Sequence, residues 1–322
     1  MNNISNRGDS YANRLVSFFQ KEWSTSFKIK KRIKEHVFLC ETDEKKWILK
    51  AYKSKRSLGQ QISFFKKWKS NNPMWVQFRS FPDGRWVKEW DQKYWVIMSY
   101  VSGQSLSYTN EEDRKESLEV IQTFHHQSER VRIKRPILRD PLYLRYYQRL
   151  NNLEETESYF TSFGYQWLYM DIVQTCRYLI QKFEDLPWSN LEDESLNNGT
   201  WIHGDVASHN FIRRQDGLVC LIDFDLLSFS PHVYDYIQFG QRFIPWYEDQ
   251  ESEFLSLFEP YVDVTDPFWQ EGVAFPADIL REWIRFIRNN HNPVEIKSYL
   301  KYLEVEWKKR KKFVESFFNM LS

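Results

Sequence analysis

Glycine is scarce in this chain, ten residues in 322, and no Gly-x-Gly occurs anywhere. That excludes both the dinucleotide-binding fingerprint and the Walker A loop, which need glycines to bring backbone N–H groups against phosphate. Any nucleotide bound here must be held another way. Cysteine is scarcer still: Cys40, Cys176 and Cys220 are odd in number, far apart and form no Cys-x-x-Cys pair. Zinc and dithiol chemistry therefore have no framework, and Cys40 and Cys220, in strand-like apolar runs, are expected to be small buried hydrophobes. No run of eighteen apolar residues exists, so no transmembrane helix is expected. The first nineteen residues, with Asp9 and several Asn and Ser, lack the apolar centre of a signal peptide, and an intracellular protein is expected. An excess of one charge is missing too. Lys and Arg number 45 against 44 Asp and Glu, a net charge of +1, which removes the electrostatic case for a nucleic-acid binder.

What the chain does have is apolar and aromatic material, 42% and 18% of residues. That is enough for one large domain or two lobes sharing a cleft. The first hundred residues read mostly as strands. His36 to Thr42 and Lys46 to Tyr52 form a hairpin by pattern, joined at Asp43-Glu44. Leu58, Ile62, Phe65 and Trp68 then recur at helical spacing. A meander follows: Val76 to Phe81, the turn Pro82-Asp83-Gly84, Arg85 to Trp90, and Tyr94 to Val101. Past Gly103 the pattern is helical, over Glu111 to Ser128, Tyr165 to Leu186 and finally Val294 to Leu321. It is interrupted by a short strand at Trp201-Ile202 and another at Leu218 to Phe224. The natural boundary lies near residues 99 to 103. It separates a β-rich lobe, 1–100, from a helical lobe, 101–322, in an α+β architecture.

The chemistry is concentrated in His203-Gly204-Asp205-Val206-Ala207-Ser208-His209-Asn210 and in Leu221-Ile222-Asp223-Phe224-Asp225. One carboxylate can orient or deprotonate a hydroxyl. An Asn five residues on, with a later Asp, offers the few hard oxygens that Mg²⁺ on a triphosphate prefers. These residues resemble the catalytic and metal motifs of the aminoglycoside phosphotransferase and choline kinase superfamily, and within it the spore-coat kinase-like (CotS-like) proteins of endospore formers. Further matches follow in order: Lys50 in Trp47-Ile48-Leu49-Lys50, the hinge-like Ser99-Tyr100-Val101, Phe124-His125, and Pro231 to Asp235-Tyr236.

The resemblance implies a two-lobed, protein-kinase-like fold and transfer of the γ-phosphoryl group of ATP to a hydroxyl of a small molecule or sugar. Asp205 would be the catalytic base, Asn210 and Asp223 the Mg²⁺ ligands, and Lys50 the contact to the α- and β-phosphates. Ser99 and Val101 would hold adenine through the backbone. It also implies synthesis in the mother-cell cytoplasm, spore-coat localisation and coat-protein partners.

Two departures bear on ATP. No glycine lies between Asp9 and Leu58, so no glycine-rich lid can form, and the side chains there (Lys34, Glu35, His36) are bulky. The helix after Lys50 carries Gln60 and Gln61 where a kinase places the Glu that pairs with its lysine. Both favour the alternative, a degenerate kinase-fold scaffold for coat assembly, whereas the intact Asp205, Asn210 and Asp223 favour catalysis. Of the remaining candidates, His203 is read as structural and His209 as exposed, with a substrate or phosphate contact as the alternative. Asp225 is read as a local turn contact, with a metal or substrate contact as the alternative. Glu248, Asp249, Glu251 and Glu253 mark a solvated helix start rather than a cation site, and Lys308 to Lys312 a wet helix face. Trp86, Trp90 and Trp95 could leave an exposed aromatic strip suited to assembly.

Overall fold

The computed structural model describes residues 5–22, 27–42 and 45–321. In chain order come α1 (Ser5–Glu22), β1 (Lys28–Lys34), β2 (Val37–Glu41), β3 (Lys46–Tyr52), α2 (Lys55–Trp68), β4 (Phe78–Arg79), β5 (Lys88–Trp90), β6 (Lys93–Ser99) and β7 (Gln104–Ser105). Then follow α3 (Glu111–Ser128), α4 (Leu142–Glu154), α5 (Glu157–Ser162), α6 (Gln166–Glu184) and α7 (Trp188–Asn198). The short strands β8 (Trp201–Ile202), β9 (Phe211–Arg213), β10 (Val219–Leu221) and β11 (Ser228–Phe229) lead into the last helices. These are α8 (Val233–Phe243), α9 (Glu251–Phe258), α10 (Pro267–Ala274), α11 (Ala277–Asn289) and α12 (Pro293–Leu321). Strands dominate the first third and helices the rest, the α+β order that the sequence implies.

The chain divides into two compact units. One takes the chain through Leu106 together with 131–137 and 209–226, and the other takes the remainder. A single cut near residues 99–103 is the sequence expectation, but the division is discontinuous. Backbone pairing is the reason. β9 is bonded to β7, the Leu221 N–H donates to the Met74 carbonyl at 2.7 Å, and the Val76 N–H donates to the Leu221 carbonyl at 3.1 Å. The β9–β10 hairpin thereby belongs to the first unit.

In the first unit, among the described residues, a six-stranded antiparallel sheet runs β1-β2-β3-β6-β4, with β5 also on β6. The expected β2–β3 hairpin forms, with Val37 opposite Lys50 and Glu41 opposite Lys46, and its Asp43-Glu44 connection lies outside the described residues. β1 was not expected. Its sequence, KIKKRIK, is nearly all exposed and cationic, which is how an edge strand avoids pairing with another chain. The meander also differs from expectation. β4 and β5 do not pair with each other; both bond to β6, Phe78 opposite Met98 and Lys88 opposite Trp95. β6 takes that inner place because Trp95, Val96 and Ile97 are all buried. The turn at Pro82-Asp83-Gly84 does form, with Gly84 at φ +81°.

α1 lays Leu15 and Phe19 onto Phe27, Phe38, Leu49 and Trp95, giving this unit its core. The tryptophan strip is therefore not exposed. Trp95 is fully buried, 6.0 Å from the Phe19 ring, and half-buried Trp90 packs 5.3 Å from Tyr11. Trp86 is half-buried beneath the Lys66 ammonium, 4.8 Å away.

In the second unit α3 begins at the Asn110 cap, whose side chain accepts the Glu112 N–H, with Glu111, Glu112 and Asp113 on the first turn. α11 buries Leu280, Trp283, Ile284 and Ile287, one apolar stripe at helical spacing. α8 and α10 approach closely because each contributes a glycine. A Cβ at Gly240 would lie 2.5 Å from Val273, and one at Gly272 would lie 2.4 Å from Ile237. The basic run on α12 is mostly a wet face, with Lys308, Lys309 and Lys312 exposed, and it is ion-paired: Lys309 with Glu248, the buried Arg310 with Asp278, Lys311 with Asp171 and Lys312 with Asp249. Glu248 and Asp249, just before α9, thus pair with Lys309 and Lys312, while Glu251 on the first turn of α9 is buried. Cys40, Cys176 and Cys220 are free and buried, as expected for Cys40 and Cys220.

Candidate active site

The first unit assembles a cation and carboxylates. Lys50 is the fifth residue of β3, flanked by Val37 on β2 and Val96 on β6, and is itself buried. Its Nζ lies 2.6 Å from Asp223 Oδ1 and 2.7 Å from Asp225 Oδ1. Tyr52, two residues on and so on the same face of the strand, donates its hydroxyl to Asp225 Oδ1 at 2.7 Å. Burial, and then the neighbouring Asp225 carboxylate, raises the Tyr52 phenol well above its ordinary value, so it stays a donor.

The carboxylates are delivered by the strand that ends at Leu221. Phe224 is buried edge-on against Phe65 of α2 at 5.1 Å, and Asp223 adopts φ +63°, left-handed backbone that Asp tolerates better than most side chains. Asn210 is buried at the foot of β9, and its carbonyl accepts the Ile222 N–H at 2.9 Å. Asp223 is thirteen positions beyond Asn210 in the chain, but it directly follows Ile222, the residue whose N–H is bonded to the Asn210 carbonyl. Ser99 ends β6, where its hydroxyl accepts from Arg79 Nε at 3.4 Å, and half-buried Val101 follows the strand.

The second unit holds Asp205. The loop after β8 is pinned by Asp235, fully buried on the first turn of α8, whose two oxygens accept the His203 N–H at 2.8 Å and the Gly204 N–H at 2.9 Å. His125 Nε2 lies 3.1 Å from the same carboxylate. Burial alone would raise Asp235, but the His125 hydrogen bond, the nearby His125 and His203 charge and the Gly204 N–H outweigh it and hold the carboxyl below its ordinary range. Gly204 sits at φ +81°, a conformation few other residues adopt, and the Tyr108 hydroxyl holds the Val206 carbonyl at 2.7 Å. His203 is buried within this framework, in line with a structural role, and His209 is exposed.

Asp205 Oδ1 accepts from Arg242 Nη2 at 3.0 Å. The sequence reading missed Arg242, though a signal exists: it lies seven residues after Asp235 on α8, two turns along the same face. Arg242 also lines a cavity of about 680 Å³ in this unit, with Trp246, Glu248, Asp278, Tyr299 and Arg310.

Residues 29–259 match the model of a phosphotransferase enzyme family. The chain belongs to that phosphotransferase family. Solved structures agree on the fold. An aminoglycoside phosphotransferase from Alicyclobacillus acidocaldarius is 15% identical with a TM-score of 0.69, covering 91% of this chain and 92% of that one. An amicoumacin kinase in complex with AMP-PNP and Ca²⁺ is 13% identical with a TM-score of 0.64, over 98% and 96%. A spectinomycin phosphotransferase in complex with ADP and spectinomycin is 12% identical with a TM-score of 0.59, over 92% and 98%. At these identities the likeness establishes the kinase-like α+β fold. No curated protein matches this phosphotransferase-family chain in sequence.

Among the described residues no group of three or more His, Cys, Asp or Glu could hold a metal. A Mg²⁺–triphosphate site needs no such cage, since this ion keeps waters and phosphate oxygens and takes only one or two protein ligands. Asn210 and Asp223, at the Ile222–Asn210 backbone hydrogen bond, offer hard oxygens that fit that requirement. No helix among the described residues is long and apolar enough to cross a membrane.

Proposed function

We propose that the chain is a Mg²⁺–ATP-dependent phosphotransferase that moves the γ-phosphoryl group to a hydroxyl of a small molecule or sugar. The observation that carries this reading is the Lys50–Asp223 contact, a strand ammonium and a carboxylate 2.6 Å apart although 173 residues separate them. Lys50 binds the α- and β-phosphates, and the backbone at Ser99 and Val101 holds adenine. Asn210 and Asp223 would hold Mg²⁺, which when bound neutralises charge on the transferring phosphoryl oxygens. Asp205 takes the acceptor's hydroxyl proton, and its loop is kept in place by Asp235 while Arg242 fixes the direction of its carboxylate. The family match and the small-molecule complexes of the solved relatives support this assignment. The cavity beside Arg242, with charged and aromatic walls, suits a polar acceptor.

The CotS-like resemblance adds the setting: synthesis in the mother-cell cytoplasm and a place in the spore coat among coat proteins. A tagged chain missing from coat extracts would remove that part of the reading. The rival reading, a scaffold that transfers nothing, draws on the glycine-free β1–β2 turn at Glu35-His36. Calorimetry with Mg²⁺–ATP separates the two. Magnesium-dependent binding that Asn210→Ala and Asp223→Ala both abolish is expected; no binding at millimolar Mg²⁺–ATP by folded protein would overturn the enzymatic reading.

A further inference from the structure

In a kinase-type site the phosphate-binding lysine is held by a carboxylate from the neighbouring helix. Here α2 supplies Gln60 and Gln61 instead, and their amide oxygens are engaged elsewhere. Gln60 Oε1 accepts the Ile137 N–H, and Gln61 Oε1 lies 3.3 Å from the Tyr52 hydroxyl oxygen. The anions beside Lys50 come from the segment after β10: Asp223 Oδ1 at 2.6 Å and Asp225 Oδ1 at 2.7 Å.

Two carboxylates on one ammonium matter for the reading above, on which this inference rests. If Asp223 is to serve a metal ion, a lysine whose sole anion is Asp223 would compete with the metal for it. A second carboxylate removes the competition. Asp225 is fixed for that purpose from the lysine's own strand. The Tyr52 hydroxyl donates to the same Oδ1 that faces Lys50, and the Tyr52 ring lies 5.2 Å from Nζ. Gln61 lies against the same hydroxyl, whose one proton goes to Asp225, so α2 touches the Lys50 site through Tyr52.

We propose that Asp225, oriented by Tyr52, is the positioning residue for Lys50 and replaces the helix carboxylate that Gln60 and Gln61 cannot supply.

The test reads Lys50 directly, in full-length protein free of metal and nucleotide. Brief acylation of amines, with Lys50 modification followed by peptide mass spectrometry, should be slow in the parent. Asp225→Ala should speed it roughly tenfold, the loss of one close ion pair, and Tyr52→Phe should speed it about threefold. Exposed Lys301 serves as the internal control. Asp225→Glu should restore the slow rate, and Asp225→Asn serves as the second variant if Asp225→Ala does not fold. Unchanged Lys50 modification in a folded Asp225 variant would overturn the proposal. If Mg²⁺-dependent ATP binding were lost at the same time, Asp225 would be a metal ligand instead. Parent protein that binds no ATP would defeat the phosphotransferase reading, whereas the acylation result would still decide the role of Asp225.

Discussion

Acid should weaken the second unit through one side chain, His232. Its ring stacks on His125 with centroids 4.0 Å apart and planes 2° from parallel, and its Nε2 is buried with no hydrogen-bond partner. Burial first, then the proximity of His125 and His126, pushes the imidazole down to about 2. The folded chain therefore keeps His232 neutral, while the unfolded chain takes up a proton near the ordinary value of about 6.5. Because the unfolded state binds more protons between those limits, stability falls as pH drops below about 6.5 and goes on falling toward 2. Near pH 7 the effect is a few tenths of a kcal/mol, and at pH 5 it is about 2 kcal/mol. Urea unfolding followed by tryptophan fluorescence at pH 7, 6 and 5 measures it. His232→Phe keeps the stacked face, gives up no hydrogen bond at Nε2, and should flatten the dependence by about 2 kcal/mol between pH 7 and 5. Equal losses in parent and variant would refute the reasoning, since they would place the titrating group elsewhere.

Asp205→Asn should fold normally, because the amide oxygen can still accept from Arg242, yet lose roughly 10²- to 10⁴-fold in turnover. ADP release from Mg²⁺–ATP with water as acceptor checks this, and retained turnover would remove Asp205 as the base. Gly103→Ala should destabilise the first unit by about 1–3 kcal/mol in urea titration, since its Cβ would meet the Arg213 carbonyl oxygen at 2.2 Å. The thiols should stay silent toward a disulfide reagent at pH 8 until the chain is unfolded, because Cys40, for one, is buried and its thiol is pushed up to about 12. Rapid labelling of native protein would contradict that burial.

The sequence by itself determined which residues carry the proposed chemistry. His203 to Asn210 and Ile222 to Asp225 are short contiguous strings whose residue types suit one task, and their strand and loop settings were readable from turn and apolar patterns. It also determined the α+β order, the β2–β3 hairpin and α3. β1 escaped notice because an exposed edge strand made of lysines carries no apolar alternation to read. Trp90 and Trp95 passed for a surface strip because the α1 helix that covers them contributes its contacts from residues 70 or more positions away in the chain.

Tertiary structure alone decided the partners. Lys50 meets Asp223 and Asp225 across 173 residues or more, and Asp205 meets Arg242 across 37. Which carboxylate faces which cation depends on strand register and helix phase, and these are set by burying residues such as Trp95 and Phe224, which have no part in the proposed chemistry. A motif specifies the functional groups through local residue types, whereas their pairing follows from how the core packs.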